Sequence, residues 1–322
     1  MFINNILTPA VYHGFNKKPP FFEGWYYKLV SADEKHKAAI IPGVILGKDA
    51  HSFVQVLNGV DGKVAYHKYP FQSFQADKHH FAVSIGNNHF DDKQISLEIE
   101  SLEGQLSGDI QFGQINPWPV TLTSPGIMGW YSWVPRMECY HGVLSFDHLL
   151  KGSLTLDGKW MDFNGGRGYI EKDWGKSFPA AWVWFQSNHF EGAIACITAS
   201  VAIIPWLGSS FRGFIVGLWL DGKLFRFATY TGAHIDSLLI SDDHVEWIIS
   251  DRQYRLSLYA SRVKGGLLRG PTQLDMGKRV LETLNASIQV RLETLDGGLI
   301  FENIGHHAGL EVIGDLPRLT QD

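Results

Sequence analysis

Three stretches of the sequence concentrate groups able to do chemistry. The first is FFEGWYYKLV, residues 21–30. Read as a strand with a period of two, Glu23, Trp25, Tyr27 and Leu29 share one face, and Tyr26, Lys28 and Val30 the other. A lone carboxylate on a face with indole and phenol rings is either a hydrogen-bonded structural residue or an acid set in an apolar cavity. The second stretch, GGRGYIEKDWGKSFPAAWVWFQSNHF (165–190), holds Glu171, Lys172 and Asp173 side by side. Two carboxylates and an amine so close can set an acid's proton affinity through charge coupling; a solvated turn is the competing reading. Further along it, Trp182, Trp184, Gln186, Asn188 and Phe190 share one strand face. That stripe suits the wall of a closed barrel, apolar at one depth and polar at another, or an inter-sheet core. The third stretch, VPRMECYHGV (134–143), puts Arg136, Glu138 and Tyr140 on one strand face and Cys139 and His141 on the other. Arg136 and Glu138 are spaced to pair along their face.

The elements that must position these residues are strands. Asp-Gly turn signals recur in VDGK (60–63), LDGK (156–159 and 220–223) and LDGG (295–298). Such dipeptides favour tight hairpins because both residues tolerate positive φ. Between them run short alternating or apolar segments such as HSFVQVLN, ISLEIE, GFIVGLWL and SIQVRLE. A helical period is rare, with QLDMGKRVLETL (273–284) the one short helix expected. The chain therefore reads as all-β, built of antiparallel barrels or sandwiches. With 322 residues two domains are expected, 1–150 and 151–322. The Pro- and Gly-rich segment 113–135 reads as a long linker or a loop at a pocket edge.

Composition excludes several classes. A formal net charge of -5 and scattered basic residues give no footprint for nucleic acid. Two isolated cysteines, Cys139 and Cys196, are too few for a disulfide framework or a thiolate metal site. HEXXH, GxSxG, P-loop and dinucleotide motifs do not occur. The histidine pairs 79–80 and 306–307 are adjacent residues that diverge on a strand, so no metal is expected. The N-terminus has neither a basic start nor a sustained apolar core, and the longest apolar run, 193–208, is too short to span a bilayer. A cytoplasmic protein is expected, with peripheral membrane contact left open.

Taken together and in order, FFEGWYYKLV, SPGIMGWYSWVPRMECYHGV, GYIEKDWGKSFPAAWVWFQSNHF and HAGLEV resemble the tocopherol cyclase family, over about residues 19–314. That family is similar to the carotenoid 1,2-hydratase and AttH-like group. The resemblance implies two lipocalin-like antiparallel β-barrels with little helix. It also implies a chemistry that protonates a trisubstituted alkene and captures the tertiary cation with an oxygen. Such a site needs an acid aimed at the alkene, aromatic faces for the cation and walls that hold the nucleophile, without metal or redox cofactor. Its ligand would be a hydrophobic small molecule, such as a prenylated quinol. Under this expectation Glu23, Asp173 and Glu138 are the candidate acids. Trp25, Tyr27, Trp182 and Trp184 would line the pocket, and Gln186, Asn188 and His189 would bind a hydroxyl. Hydration of an isoprenoid and non-catalytic carriage of a hydrophobic ligand are the alternatives.

Overall fold

The computed structural model describes residues 5–320, and strands dominate them. The chain forms two compact units. The first comprises the chain up to Phe178 together with Leu267–Arg279; the second comprises Pro179–Gly266 and the chain from Val280 onward. A division at 150/151 would cut the strand Cys139–Leu156, which is paired on both sides of that point.

The first unit holds β1 (Phe21–Val30), β2 (Lys37–Leu46), β3 (His51–Asn58), β4 (Val64–Pro70), β5 (Phe74–Ala76), β6 (Ala82–Ile85), β7 (Asn88–Asp91), β8 (Gln94–Ser101), β9 (Gly104–Phe112), β10 (Cys139–Leu156), β11 (Lys159–Asp162) and β12 (Arg167–Gly175). They pair in the order 4-3-2-1-12-10-9-8-7-6-5, every pair antiparallel. The two outermost strands, β4 and β5, are joined by the single 3-10 turn Phe71–Ser73. Register shifts after Val143 and Ser145 bend β10, so its first half pairs with β12 and its second with β9. The sheet curls round one core that takes Phe21, Trp25, Tyr27 and Leu29 from β1, Ile40 and Val44 from β2, and Ile170 from β12. The period-two reading of residues 21–30 therefore holds. Leu267–Arg279 packs on the outside of this sheet. Arg269 exchanges hydrogen bonds with the Gln55 amide and lies over the Tyr66 ring at 4.6 Å, and Met276 joins a cluster with Phe22, Ile45 and Phe53.

The second unit holds β13 (Ala181–Ser187), β14 (His189–Phe190), β15 (Ala195–Trp206), β16 (Ser209–Leu220), β17 (Lys223–Ala228), β18 (His234–Ile240), β19 (His244–Ser250), β20 (Tyr254–Ser261), β22 (Lys278–Thr294) and β23 (Leu299–Gly314), while the short β21 (Gly266–Gly270) precedes β22. Its antiparallel order is 17-16-15-13-23-22-20-19-18, with β14 also on β23. The helix expected over 273–284 is instead a turn followed by β22: Val280, Leu284, Ala286 and Ile288 are buried at a period of two. Two Asp-Gly turns behave as their residue types require. Asp157–Gly158 and Asp221–Gly222 all have positive φ and join β10 to β11 and β16 to β17.

A buried ion pair lies inside the first barrel. Glu23 and Lys172 have no exposed side chain, and Lys172 Nζ is 2.5 Å from Glu23 Oε1. The backbone N–H of His13 donates to both Glu23 oxygens at 2.9 Å. The ammonium also donates to the carbonyls of Pro9 (3.0 Å) and Val11 and to Nδ1 of His13 (2.9 Å). It lies 4.9 and 4.8 Å from the Trp25 and Trp174 ring centroids. His13 stacks on Trp174 at 4.4 Å, and its Nε2 is 2.9 Å from the carbonyl of Asn5. Burial and the adjacent ammonium lower its pKa, so the neutral ring donates through Nε2 and accepts at Nδ1. Burial raises the carboxyl of Glu23, yet Lys172 and the His13 contacts outweigh it and hold the group ionised below its ordinary range.

Removing one partner of such a pair strands the other charge, at about 3–5 kcal/mol. We expect Glu23→Gln and Lys172→Met each to lower unfolding free energy in urea by that order. The double variant Glu23→Leu/Lys172→Met should regain most of it. Singles as stable as the parent chain would show that the pair does not hold the barrel.

Candidate active site

Strand β12 gives its two faces different work. Lys172 and Trp174 turn inward with Trp25 and Glu23 of β1, whereas Glu171 and Asp173 turn outward. The acidic cluster 171–173 is thus part of a strand, not a solvated turn. On the outward face His141 of β10 stands directly opposite Asp173. Its Nδ1 is 2.9 Å from Asp173 Oδ1, and its Nε2 is 3.7 Å from Glu171 Oε2. The phenol of Tyr169 donates to Glu171 Oε2 at 2.6 Å. Burial opposes charge on His141, but the charges of Asp173 and Glu171 and the hydrogen bond to Asp173 raise its pKa to about 9. His141 is therefore an imidazolium at neutral pH. One ring N–H is committed to Asp173, and Nε2 is a buried atom with no hydrogen-bond partner among the described residues. One ligand atom from each of His141, Glu171 and Asp173 falls within 4.8 Å of the others, a donor set that also suits a divalent cation.

Two further groups border this cluster. Cys139 lies 3.8 Å from Asp173 Oδ1, and burial, reinforced by Asp173 and Glu138, pushes its thiol far above the ordinary range, so it is not a thiolate nucleophile. Glu138 precedes β10, accepts the Ser177 hydroxyl at 2.9 Å and has its pKa raised, chiefly by burial. Its Oε2 is buried without a hydrogen-bond partner among the described residues. Arg136 is exposed at φ 64 ahead of the strand, so Arg136, Glu138 and Tyr140 do not form one strand face.

Of the residues singled out from sequence, Glu23 lies in the buried ion pair and so holds no proton to donate at neutral pH. Trp25 and Tyr27 are barrel core: the indole donates to the Ala10 carbonyl at 3.2 Å and the phenol to the Asp91 carbonyl at 3.0 Å. In the second unit Ala181, Val183 and Phe185 enter the core, so Trp182, Trp184 and Gln186 occupy the opposite, outward face rather than the barrel interior. They are buried there all the same. Trp182 Nε1 donates to Glu311 Oε2 at 2.5 Å, the Gln186 amide lies 3.4 Å from Cys196 Sγ, and Asn188 Oδ1 is 3.0 Å from His189 Nδ1. Phe190 leaves the stripe for the core, because the strand breaks at Asn188 near His307, whose φ is 49. His141 was visible in sequence only as a neighbour of Cys139; its meeting with Asp173 depends on the β10–β12 register, 32 residues apart.

A family model described as tocopherol cyclase-like matches residues 110–314. The chain is 26% identical over 211 residues to a probable chloroplastic tocopherol cyclase of Oryza sativa subsp. japonica, a stretch covering 61% of this chain and 44% of that protein. The chain thus spans less than half the length of this curated relative. Among solved structures it is similar to kievitone hydratase of Nectria haematococca (13% identity, TM-score 0.54, 94% of each chain). It is also similar to a protein of Nitrosomonas europaea assigned as AttH (13% identity, TM-score 0.54, 90% of this chain and 92% of that one). At these identities the structural likeness is one of fold. With the match running from β9 through β23, the chain belongs to the tocopherol cyclase-like family.

Proposed function

We propose that this chain is a tocopherol cyclase-like isomerase that closes a ring on a prenylated quinol, or on a similar isoprenoid bearing a hydroxyl, by protonating its alkene. The observation that carries this reading is His141: a largely shielded imidazolium between two carboxylates, whose Nε2 faces Glu171 at 3.7 Å and makes no hydrogen bond among the described residues. In the proposed step the Nε2–H bond breaks as a new C–H bond forms at the less substituted alkene carbon. The hydroxyl oxygen bonds to the tertiary carbon, and its proton passes to the carboxylate of Glu171 or Asp173, from which His141 is reloaded. No atom is gained or lost. An imidazolium of pKa about 9 is a modest acid, so oxygen attack must accompany proton transfer to spare a free cation. Glu138, whose carboxyl is held above its ordinary range, is the rival donor.

Incubation with a phytylated benzoquinol under reducing conditions, followed by chromatography and mass measurement, tests the reading. We expect a product of unchanged mass and new retention, and a loss of about 10²–10⁴-fold in turnover for His141→Gln. Activity should survive a chelator and fall as pH rises through about 9. Loss with Glu138→Gln but not with His141→Gln would move the donor, a chelator-sensitive reaction would make the cluster a metal site, and gain of one water would identify a hydratase.

Stability carries the same signature. The folded-state pKa of His141 lies above its ordinary 6.5, so its contribution is complete below pH 6.5 and is lost as pH rises through 9. Lys172 is lowered to about 8, chiefly by burial, and gives the opposite slope between 8 and 10.5. His13, His51, His67 and His148 are lowered and act below 6.5. Between pH 6.5 and 8 the parent chain should therefore lose stability at up to about 1.4 kcal/mol per pH unit, and His141→Gln should lack that slope. Equal slopes would show that His141 is not charged in the folded chain.

A further inference from the structure

The segment 113–135, between β9 and β10, buries Trp118, Ile127 and Met128, but the rest of it belongs to neither the core nor the His141 cluster. No Asp, Glu, Lys or Arg occurs in it, although charged residues make up 19% of the chain. A surface loop without charge is ordinarily polar, yet this one exposes Val120, Leu122 and Trp130 by 37%, 68% and 45%. These residues belong to one ridge. Residues 129–133 form a 3-10 helix, in which positions three apart eclipse, so Trp130 and Trp133 lie on the same side. Trp133 Nε1 donates to the Leu122 carbonyl at 2.9 Å, which ties the tip of the preceding turn to that helix. The Trp130 and Tyr131 rings stack at 4.1 Å.

The loop also keeps many of its hydrogen-bonding groups to itself. Thr121 N–H donates to the Ser124 carbonyl at 3.1 Å, Ser124 N–H to Thr121 Oγ1 at 3.1 Å, and the Ser132 hydroxyl to the Pro125 carbonyl at 2.7 Å. These internal bonds lower the cost of taking the ridge out of water, although Ser124 Oγ is buried without a hydrogen-bond partner among the described residues. Leucine and valine at the tip with tryptophan and tyrosine behind them is the arrangement that suits the boundary between headgroups and acyl chains.

We propose that residues 120–133 dock the protein on the surface of a lipid bilayer, inserting Leu122 and Trp130. The absence of charge selects this occupant. Attraction to an acidic or basic protein partner has nothing to act on here, whereas shallow insertion into a zwitterionic membrane needs none. The loop is linked to the strand of His141 as well: Tyr140 donates its hydroxyl to the Val134 carbonyl at 2.6 Å and accepts the Met137 N–H at 3.2 Å. Docking is independent of the reaction assigned to His141, since none of the inserting residues belongs to that cluster.

The test is flotation of the full chain with phosphatidylcholine vesicles through a density gradient. The protein should float equally at low and high salt, because insertion without charge is not screened. Leu122→Asp/Trp130→Asp should reduce the vesicle-bound fraction at least tenfold with an unchanged thermal melt. Leu122→Ser alone should give a smaller loss, and Leu102→Asp, at a fully exposed turn outside the loop, should float like the parent. The proposal is overturned if the parent chain stays unbound, if binding survives the double substitution, or if sedimentation shows a dimer that Leu122→Asp disperses, which would make the ridge a contact between copies.

Discussion

The first barrel is organised around a charge it cannot expose. Glu23 and Lys172 are both fully buried, and each must be matched by a partner or stay out of the core. Lys172 stands opposite Trp25 and Glu23 opposite Trp174, so the two charges meet diagonally across the β1–β12 ladder. A slip of one residue would turn one charge to the outside and leave the other alone. The pair thus penalises every register but one. It also reaches beyond the sheet, because the ammonium has more capacity than one carboxylate uses. The carbonyls of Pro9 and Val11 and the ring of His13 complete its shell, which draws the segment before β1 into the barrel.

Alternation along β12 keeps that structural charge apart from the group proposed to do chemistry. Ile170, Lys172 and Trp174 look inward; Tyr169, Glu171 and Asp173 look outward. The same principle separates two histidines. His13 sits beside an ammonium and is kept neutral; His141 sits beside two carboxylates and is kept charged. Both are largely shielded from water, so the sign of the neighbouring charge decides which ring carries a proton.

Much of this was legible in the sequence. The alternation in FFEGWYYKLV puts Trp25, Tyr27 and Leu29 on one face, which is packed core rather than the pocket lining expected of Trp25 and Tyr27, and the two LDGK segments mark hairpins where β10 and β16 turn back. What failed was whatever depends on a strand ending or on pairing between distant residues. The VWFQSNHF run looked like one continuous stripe, but the break at Asn188 sends Phe190 inward while Trp182 and Trp184 face out. Residues 273–284 had a helical look, yet a sheet can bury Val280 and Leu284 on one face while Leu281 stays exposed. Glu23 stands among aromatics in the sequence, but the ammonium that neutralises it lies 149 positions further along the chain (172 minus 23), at Lys172. No local pattern marks residues 9–13 as the lining of a charge, because backbone carbonyls do that work.

The chain's path sets the order in which the molecule can be completed. After Phe178 it leaves the first unit, builds β13 to β20, returns with Leu267–Arg279 against Gln55 and Tyr66, and departs again. Neither unit is one continuous piece of polypeptide: a scission after Phe178 would keep all twelve strands of the first barrel but strip it of the segment Leu267–Arg279. During synthesis the first barrel lacks the outer cover over Phe22, Phe53 and Tyr66 until most of the second unit has emerged. Loop closure over some 200 residues then unites them, the kind of long-range contact that makes folding slow. Connectivity alone therefore makes completion of the first unit wait on synthesis of most of the second.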